Sequence, residues 1–274
     1  MTPEYCCDSV IMKPCVMELN LKGKKAIVTG ASRGLGTGIA KVLAREGVDV
    51  LVNYAHIESE EKARAVSQSL IKDHGVKSVY FRADVTREEE ISPLFDAAEN
   101  AFGAPVTILV NNAGICPHVT IAESDFKSWK DCMAVNVDSI FLCCREFLKR
   151  NIPRDCGGRI INIASQAAFN GSKNGKTHYS ASKGAVISFG ISLAKEVAKY
   201  NILVNTVCPG MLLTELSAVT LTNEDAIEKY SETLLLGRLE DASEVGEMVA
   251  FLASDAASYS TGAVFDVSGG MISR

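Results

Sequence analysis

At 274 residues the chain is longer than a typical domain, and with 47% hydrophobic and 22% charged residues it has apolar material for one large core. A net charge of −5 provides no basic stripe for a nucleic-acid backbone, and no apolar run reaches the ~18 residues of a membrane span. The nine cysteines include no C-x-x-C pair and are odd in number, so neither a metal site nor a complete disulfide framework is expected; reduced thiols in a cytoplasmic protein are.

In chain order, residues 1–21 read as an extension ahead of the fold. Pro3, Glu4, Asp8, Lys13, Pro14 and Glu18 interrupt any run of signal-peptide length. From Lys24 onward, short β-branched runs alternate with longer helical patterns. Strands are predicted at 26–29, 49–53, 78–82, 107–111, 159–163, 203–208 and 264–267. Their near-continuous Ile, Val and Leu content is that of strands covered on both faces, as in a parallel sheet. Helices are predicted at 35–46, 60–73, 88–101, 126–150, 179–199 and 243–252. The alternation implies a doubly wound α/β sheet in one domain, 22–274. Residues 211–236 are less regular and are a candidate lid or substrate loop.

The first predicted strand runs into Thr29-Gly30-Ala31-Ser32-Arg33-Gly34-Leu35-Gly36 and then into a helix. Glycines allow a tight turn and a close backbone approach to a pyrophosphate, and the helix N-terminus offers free N–H groups to its charge. Tight turns need glycine anyway, so placement at the first β-α junction is what points to a dinucleotide. At the end of the second strand, Val52-Asn53-Tyr54-Ala55 has no carboxylate to bind ribose hydroxyls. Arg33 is available to a 2′-phosphate, with His56 nearby, which favours NADP(H) over NAD(H). The plainer reading of Arg33 is a solvated loop charge.

Tyr179-Ser180-Ala181-Ser182-Lys183 opens a strongly apolar helix and stacks a phenol and an ammonium at i and i+4. A neighbouring cation favours phenolate and should lower the tyrosine pKa, giving an acid/base suited to carbonyl–alcohol interconversion. Ser165, in Asn162-Ile163-Ala164-Ser165, closes a strand at its carboxyl end, where α/β sheets bind ligands. Its plainer reading is a helix cap. Asn111-Asn112-Ala113-Gly114 ends the fourth strand, Asn136 lies in Ala134-Val135-Asn136-Val137, and Cys208-Pro209-Gly210 ends another strand, with Thr214 four residues on. His178 should project from another face than Tyr179, and His118 borders the substrate side; a solvated loop residue is the plainer reading of His118.

Taken together, the G-x-x-x-G-x-G turn, Asn-Asn-Ala-Gly, the strand-end serine, Tyr-x-x-x-Lys and Pro-Gly resemble the short-chain dehydrogenase/reductase family over about residues 22–274. The resemblance implies a Rossmann-like, seven-stranded parallel sheet with helices on both faces and an Asn136–Ser165–Tyr179–Lys183 tetrad. In such enzymes the tyrosine moves the proton and the serine positions the substrate oxygen. The lysine lowers the tyrosine pKa and binds the nicotinamide ribose, and the asparagine holds a relay water. It further implies cofactor contacts at Gly30, Ser32, Arg33, Gly34, Leu35, Gly36, Asn53, Tyr54, Asp84, Val85, Asn111, Asn112, Ala113, Gly114, Tyr179, Lys183, Pro209, Gly210 and Thr214. Ser165 and Tyr179 lie fourteen positions apart, one more than the commonest family spacing, which affects the pocket rim around residues 170–177.

The helices at 179–199 and 140–148 are apolar on almost every face, as expected of helices packed on a sheet and on a second subunit. Family resemblance also points to homodimers or homotetramers on these two helices; the alternative is one deeply buried monomer. The expected activity is NADP(H)-dependent oxidoreduction of a small carbonyl or secondary alcohol, resembling 3-oxoacyl-carrier-protein reductases and sugar or polyol dehydrogenases. The alternatives are a non-catalytic nucleotide sensor or scaffold, against which the intact tetrad counts, and an NAD-dependent polyol or steroid dehydrogenase. An extended-type epimerase or dehydratase would need a differently spaced glycine turn and a larger C-terminal region.

Overall fold

The β-branched runs fold as strands close to their expected limits in a computed structural model that describes residues 18–172 and 175–271. The strands are β1 (Lys25–Val28), β2 (Asp49–Tyr54), β3 (Ser78–Arg82), β4 (Ile108–Asn111), β5 (Gly158–Ile163), β6 (Ile202–Pro209) and β7 (Val264–Val267). They form one sheet, ordered β3-β2-β1-β4-β5-β6-β7, with every pairing parallel. β2 and β6 are buried along their whole length, including the polar Asp49, Asn53, Asn205 and Thr206, as strands covered on both faces are.

The long connections are α1 (Gly34–Arg45), α2 (Glu60–His74), α3 (Glu88–Phe102), α4 (Phe126–Met133), α5 (Ser139–Arg154), α7 (Thr177–Val197) and α9 (Ala242–Ala253). Two shorter helices, α6 (Ala167–Asn170) and α8 (Glu224–Ser231), have no counterpart in the predicted pattern. The apolar core is split by the sheet. One layer gathers Ile39, Leu43, Leu70 and Val249, from α1, α2 and α9; the other gathers Leu94, Phe95, Phe147 and Val186, from α3, α5 and α7. Of the expected 1–21 extension, residues 1–17 lie outside the described residues, whereas Leu19 and Leu21 already pack against the first layer.

Strand order reverses between β1 and β4, so the crevice beyond their carboxyl ends is the position where open α/β sheets take ligands. One predicted helix differs in kind. The 126–150 pattern is interrupted by a π-helical turn, Ala134–Asp138, that separates α4 from α5. Such turns displace the backbone ladder and recur at functional sites. Helix α7 lies unusually close to β6: a methyl group at Gly190 would stand 2.7 Å from Thr206 Oγ1. No helix among the described residues is long and apolar enough to cross a membrane.

Candidate active site

The glycine turn is built by backbone contact. Gly30 has φ +63°, and a Cβ at Gly36 would lie 2.5 Å from the Gly30 carbonyl and 2.6 Å from Asn112 Nδ2. No side chain fits there. Helix α1 begins with no side-chain cap and no acidic residue in its first turn, leaving its N–H groups free for an anion. Across the switch point, Thr29 Oγ1 accepts the N–H groups of Asn112 and Ala113 at 3.0 Å each, and Asn112 Nδ2 donates to the Thr29 carbonyl at 2.9 Å. The exits of β1 and β4 are thereby locked together. These features fit a bound dinucleotide pyrophosphate.

Asn53 and Tyr54 were expected to face the cofactor; both are buried. Asn53 Oδ1 accepts from the Gly30 N–H at 3.2 Å and its Nδ2 donates to the Ala83 carbonyl at 3.0 Å. With both ends of its amide engaged, Asn53 holds the turn to β2 instead of presenting a free group. Asp84 accepts the Thr86 N–H and hydroxyl on Oδ1, its own N–H bonds Glu90, and Val85 is buried beside it. Ser32 is buried. Arg33 is exposed and paired with Glu215, which also takes Lys62 Nζ at 2.8 Å.

Ser165, Tyr179 and Lys183 converge beyond β5. Lys183 is buried, and its Nζ donates to the Ile163 carbonyl at 2.9 Å and lies 5.7 Å from the Tyr179 ring centre. Ser165 Oγ accepts the Ala167 N–H at 3.1 Å, opening the short α6, and it also hydrogen-bonds Tyr179. The cap reading of Ser165 holds, and its capping bond leaves the hydroxyl beside Tyr179. Asn136 sits in the π turn, fully buried. Its Oδ1 accepts the Ile115 N–H at 2.8 Å, and its Nδ2 donates to the Ile115 carbonyl and to Ser182 Oγ, both at 2.9 Å. This two-pronged clamp fixes the chain just after Gly114, where a Cβ would approach Lys183 Nζ to 3.5 Å.

The expected lowering of the Tyr179 pKa is not found in the ligand-free protein. Burial pushes the phenol well above its ordinary value, with the Ser165 hydrogen bond pulling the other way, and burial lowers Lys183 to about 8. Desolvation outweighs the cation's attraction for phenolate in a site this dry.

Pro209 ends β6, and the Gly210 N–H bonds both the Val267 carbonyl and Glu240 Oε2 at 3.0 Å. Thr214 lies beside Gly34, so the 211–236 segment starts directly over the glycine turn. His178 is fully buried, with neither ring nitrogen hydrogen-bonded, and His118 Nε2 is likewise buried without a partner. Sequence reasoning missed Thr29, Ser182, Lys62, Glu215 and Glu240. Ser182 lies inside the Tyr-x-x-x-Lys motif and Thr29 opens the glycine turn, and in each a small hydroxyl next to functional positions is a usable signal; Lys62, Glu215 and Glu240 carry none.

A Gly-rich β1–α1 turn at a switch point, with Tyr179 beside buried Lys183 and Ser165, defines a nicotinamide-dependent carbonyl–alcohol oxidoreductase. A family model described as enoyl-(acyl carrier protein) reductase matches residues 30–272. A 3-oxoacyl-(acyl-carrier-protein) reductase from Aquifex aeolicus is 38% identical over 93% of this chain and 100% of its own. An NADPH-dependent aldehyde reductase 2 (chloroplastic) from Arabidopsis thaliana is 37% identical over 93% of this chain and 96% of its own. An actinorhodin polyketide ketoreductase variant solved with NADPH superposes with a TM-score of 0.85 at 34% identity, covering 90% of this chain and 97% of its own. The chain belongs to the short-chain dehydrogenase/reductase family.

Proposed function

We propose that this enzyme is an NADP(H)-dependent reductase of carbonyl compounds with an apolar tail, such as 3-oxoacyl thioesters, with Tyr179 as the proton donor. The observation that carries the reading is the convergence of Tyr179, Ser165 and buried Lys183 at the carboxyl end of β5. Tyr179, held protonated by burial, gives its phenolic proton to the substrate oxygen while Ser165 Oγ donates to that oxygen and fixes its position. Lys183, anchored on the Ile163 carbonyl, places positive charge beneath the phenolate left behind and faces the nicotinamide ribose. Asn136 holds the Ile115 segment that closes the far side. The nicotinamide, when bound, supplies the hydride.

Gly30, Ser32, Gly34, Leu35 and Gly36 would hold the pyrophosphate, Asp84 and Val85 the adenine, and Asn112, Ala113, Gly114, Pro209, Gly210 and Thr214 the rest of the cofactor toward its nicotinamide. The NADP(H) preference is supported by the absence of a carboxylate at the end of β2, by Arg33 and Lys62 beside it, and by the NADPH named for the aldehyde reductase and the ketoreductase. Exposed Leu213, Leu216, Val219, Leu235 and Leu236 along the lid support an apolar substrate tail. Exposed Phe141 on α5 and Ile191 on α7 support a homodimer or homotetramer through those helices, and the thiols of Cys116, Cys132, Cys143, Cys144 and Cys156 support a cytoplasmic setting. Initial rates with NADPH and NADH over acyl thioesters, keto-sugars and steroids test the proposal. Higher turnover of the thioesters with NADPH is expected, and an NADH preference or a sugar-only profile overturns it. Arg33→Ala should weaken NADPH binding about tenfold and leave NADH nearly unchanged.

A further inference from the structure

Two cations from separate elements converge on one carboxylate at the adenosine side of the cleft. Arg33 belongs to the turn after β1 and Lys62 to the first turn of α2, which follows β2. Glu215, from the start of the lid, accepts from Arg33 on Oε2 and from Lys62 Nζ on Oε1, the latter at 2.8 Å. All three side chains are more than half exposed, so an incoming anion can reach them. The neighbouring cation Arg64 is already paired with Glu61.

The lid is tied to this point by more than the ion pairs. Thr214 packs over Gly34, and the Thr214 N–H donates to Ser217 Oγ at 2.9 Å, so residues 214–217 form one tight turn carrying Glu215 on its outer side.

We propose that Glu215 is a built-in stand-in for the cofactor's 2′-phosphate. It holds Arg33 and Lys62 in the ligand-free protein and is displaced from them when the phosphate binds, which unlatches the start of the lid. Lys62 thereby becomes a cofactor-selecting residue alongside Arg33, and the lid is freed for substrate only once the phosphorylated cofactor is seated. The inference rests on the NADP(H) reading above. Its chemistry is competition between two anions for one pair of cations. A phosphate carrying close to two negative charges outcompetes a single carboxylate there, and it arrives attached to a cofactor with contacts elsewhere.

Binding to the cofactor-free protein tests this without turnover. Adenosine 2′,5′-bisphosphate and adenosine 5′-monophosphate are titrated calorimetrically into the wild type, Glu215→Gln and Lys62→Met. Removing the competitor should tighten bisphosphate binding about fivefold and leave the monophosphate within about twofold, as expected for losing two exposed ion pairs. Lys62→Met should weaken only the bisphosphate. Hydrogen exchange of residues 212–217 supplies the same test in the unaltered chain: the bisphosphate should speed it and the monophosphate should not. If the wild type prefers the bisphosphate but Glu215→Gln binds it no more tightly, or lid exchange does not respond, the stand-in role is overturned and the NADP(H) reading survives. If the wild type binds both nucleotides equally, the NADP(H) reading itself falls, and this inference with it.

Discussion

The two walls of the cleft are made of different material. The cofactor wall, at the exits of β1 and β4, is backbone packed against backbone and short polar side chains: Gly36 has no room for a methyl group, and the Thr29 hydroxyl and Asn112 amide stitch the two strand ends together. The catalytic wall, beyond β5 and along α7, is made of buried side chains whose protonation is shifted by desolvation. The first wall does its work by shape, so changing it should damage binding and stability together. The second does its work by chemistry, so removing its phenolic hydroxyl alone should spare both and stop turnover.

The sharpest way to break that division is Tyr179→Phe. Removing one hydroxyl deletes the proton donor while keeping the ring that packs over Lys183, so kcat should fall about 10³-fold. NADPH affinity, read by fluorescence titration, should stay within about twofold. A variant that lost affinity in step with kcat would show that the catalytic wall also bears binding, and the contrast would fail. A companion measurement is the pH profile of reduction. Lys183 carries its charge below about 8 and loses it above, so kcat/KM in the wild type should decline as pH rises through that value.

Gly36→Ala is the converse experiment. The added Cβ meets the Gly30 carbonyl and Ala31 Cα, both backbone, and Asn112 Nδ2, which hydrogen bonds to the Thr29 and Gly30 carbonyls hold in place, all inside van der Waals contact. Overpacking of this kind costs about 2 kcal/mol, and here the displaced backbone is the phosphate cradle itself. Thermal unfolding should shift down and NADPH binding should weaken by more than tenfold. A variant of normal stability with normal cofactor affinity would remove the argument that shape alone defines this wall.

The same contrast explains which parts were legible in the sequence. The cofactor wall depends on glycine spacing and on apolar strands, and both are written locally, so β1 to β7 fall within about two residues of expectation. Helix α7 and the Tyr179–Lys183 stack follow from i, i+4 spacing. What escaped depends on contacts between distant residues. A period of 3.6 cannot report that the 126–150 helix slips into a π turn, because the slip accompanies the clamp of Asn136 on Ile115. That Asn53 also braces the glycine turn is not visible in the sequence, since only the folded chain brings Gly30 and Ala83 to its amide. Helix α8 did carry a signal, Asn223 capping the Ala226 N–H ahead of Glu224 and Asp225, but it lay inside a stretch read as irregular. The protonation of Tyr179 was misjudged for a related reason: the cation is visible in the motif, whereas the burial that outweighs it is not.

A third border of the cleft lies where β6 and β7 end, and its predicted effect shows only as a change with pH. Glu240 accepts the Gly210 N–H on Oε2, its Oε1 is buried without a partner, and burial raises its pKa to about 8. It lines a cavity of about 370 Å³ with Met211, Leu234, Asp266 and Gly270. Because the folded pKa lies above the unfolded one, near 4.5, its stabilising contribution is complete below the unfolded value and is lost as pH rises toward about 8. Glu240→Gln keeps an acceptor for Gly210 and cannot ionise. Its melting temperature should therefore match the wild type at pH 4.5 and exceed it by a growing margin up to about pH 8, with no further divergence beyond. A constant gap across that range would mean that the carboxyl is already ionised in the folded protein. The Gly210 turn would then be held by a charge, and this border would belong with the catalytic wall, where ionisation matters, and not with the backbone-built one.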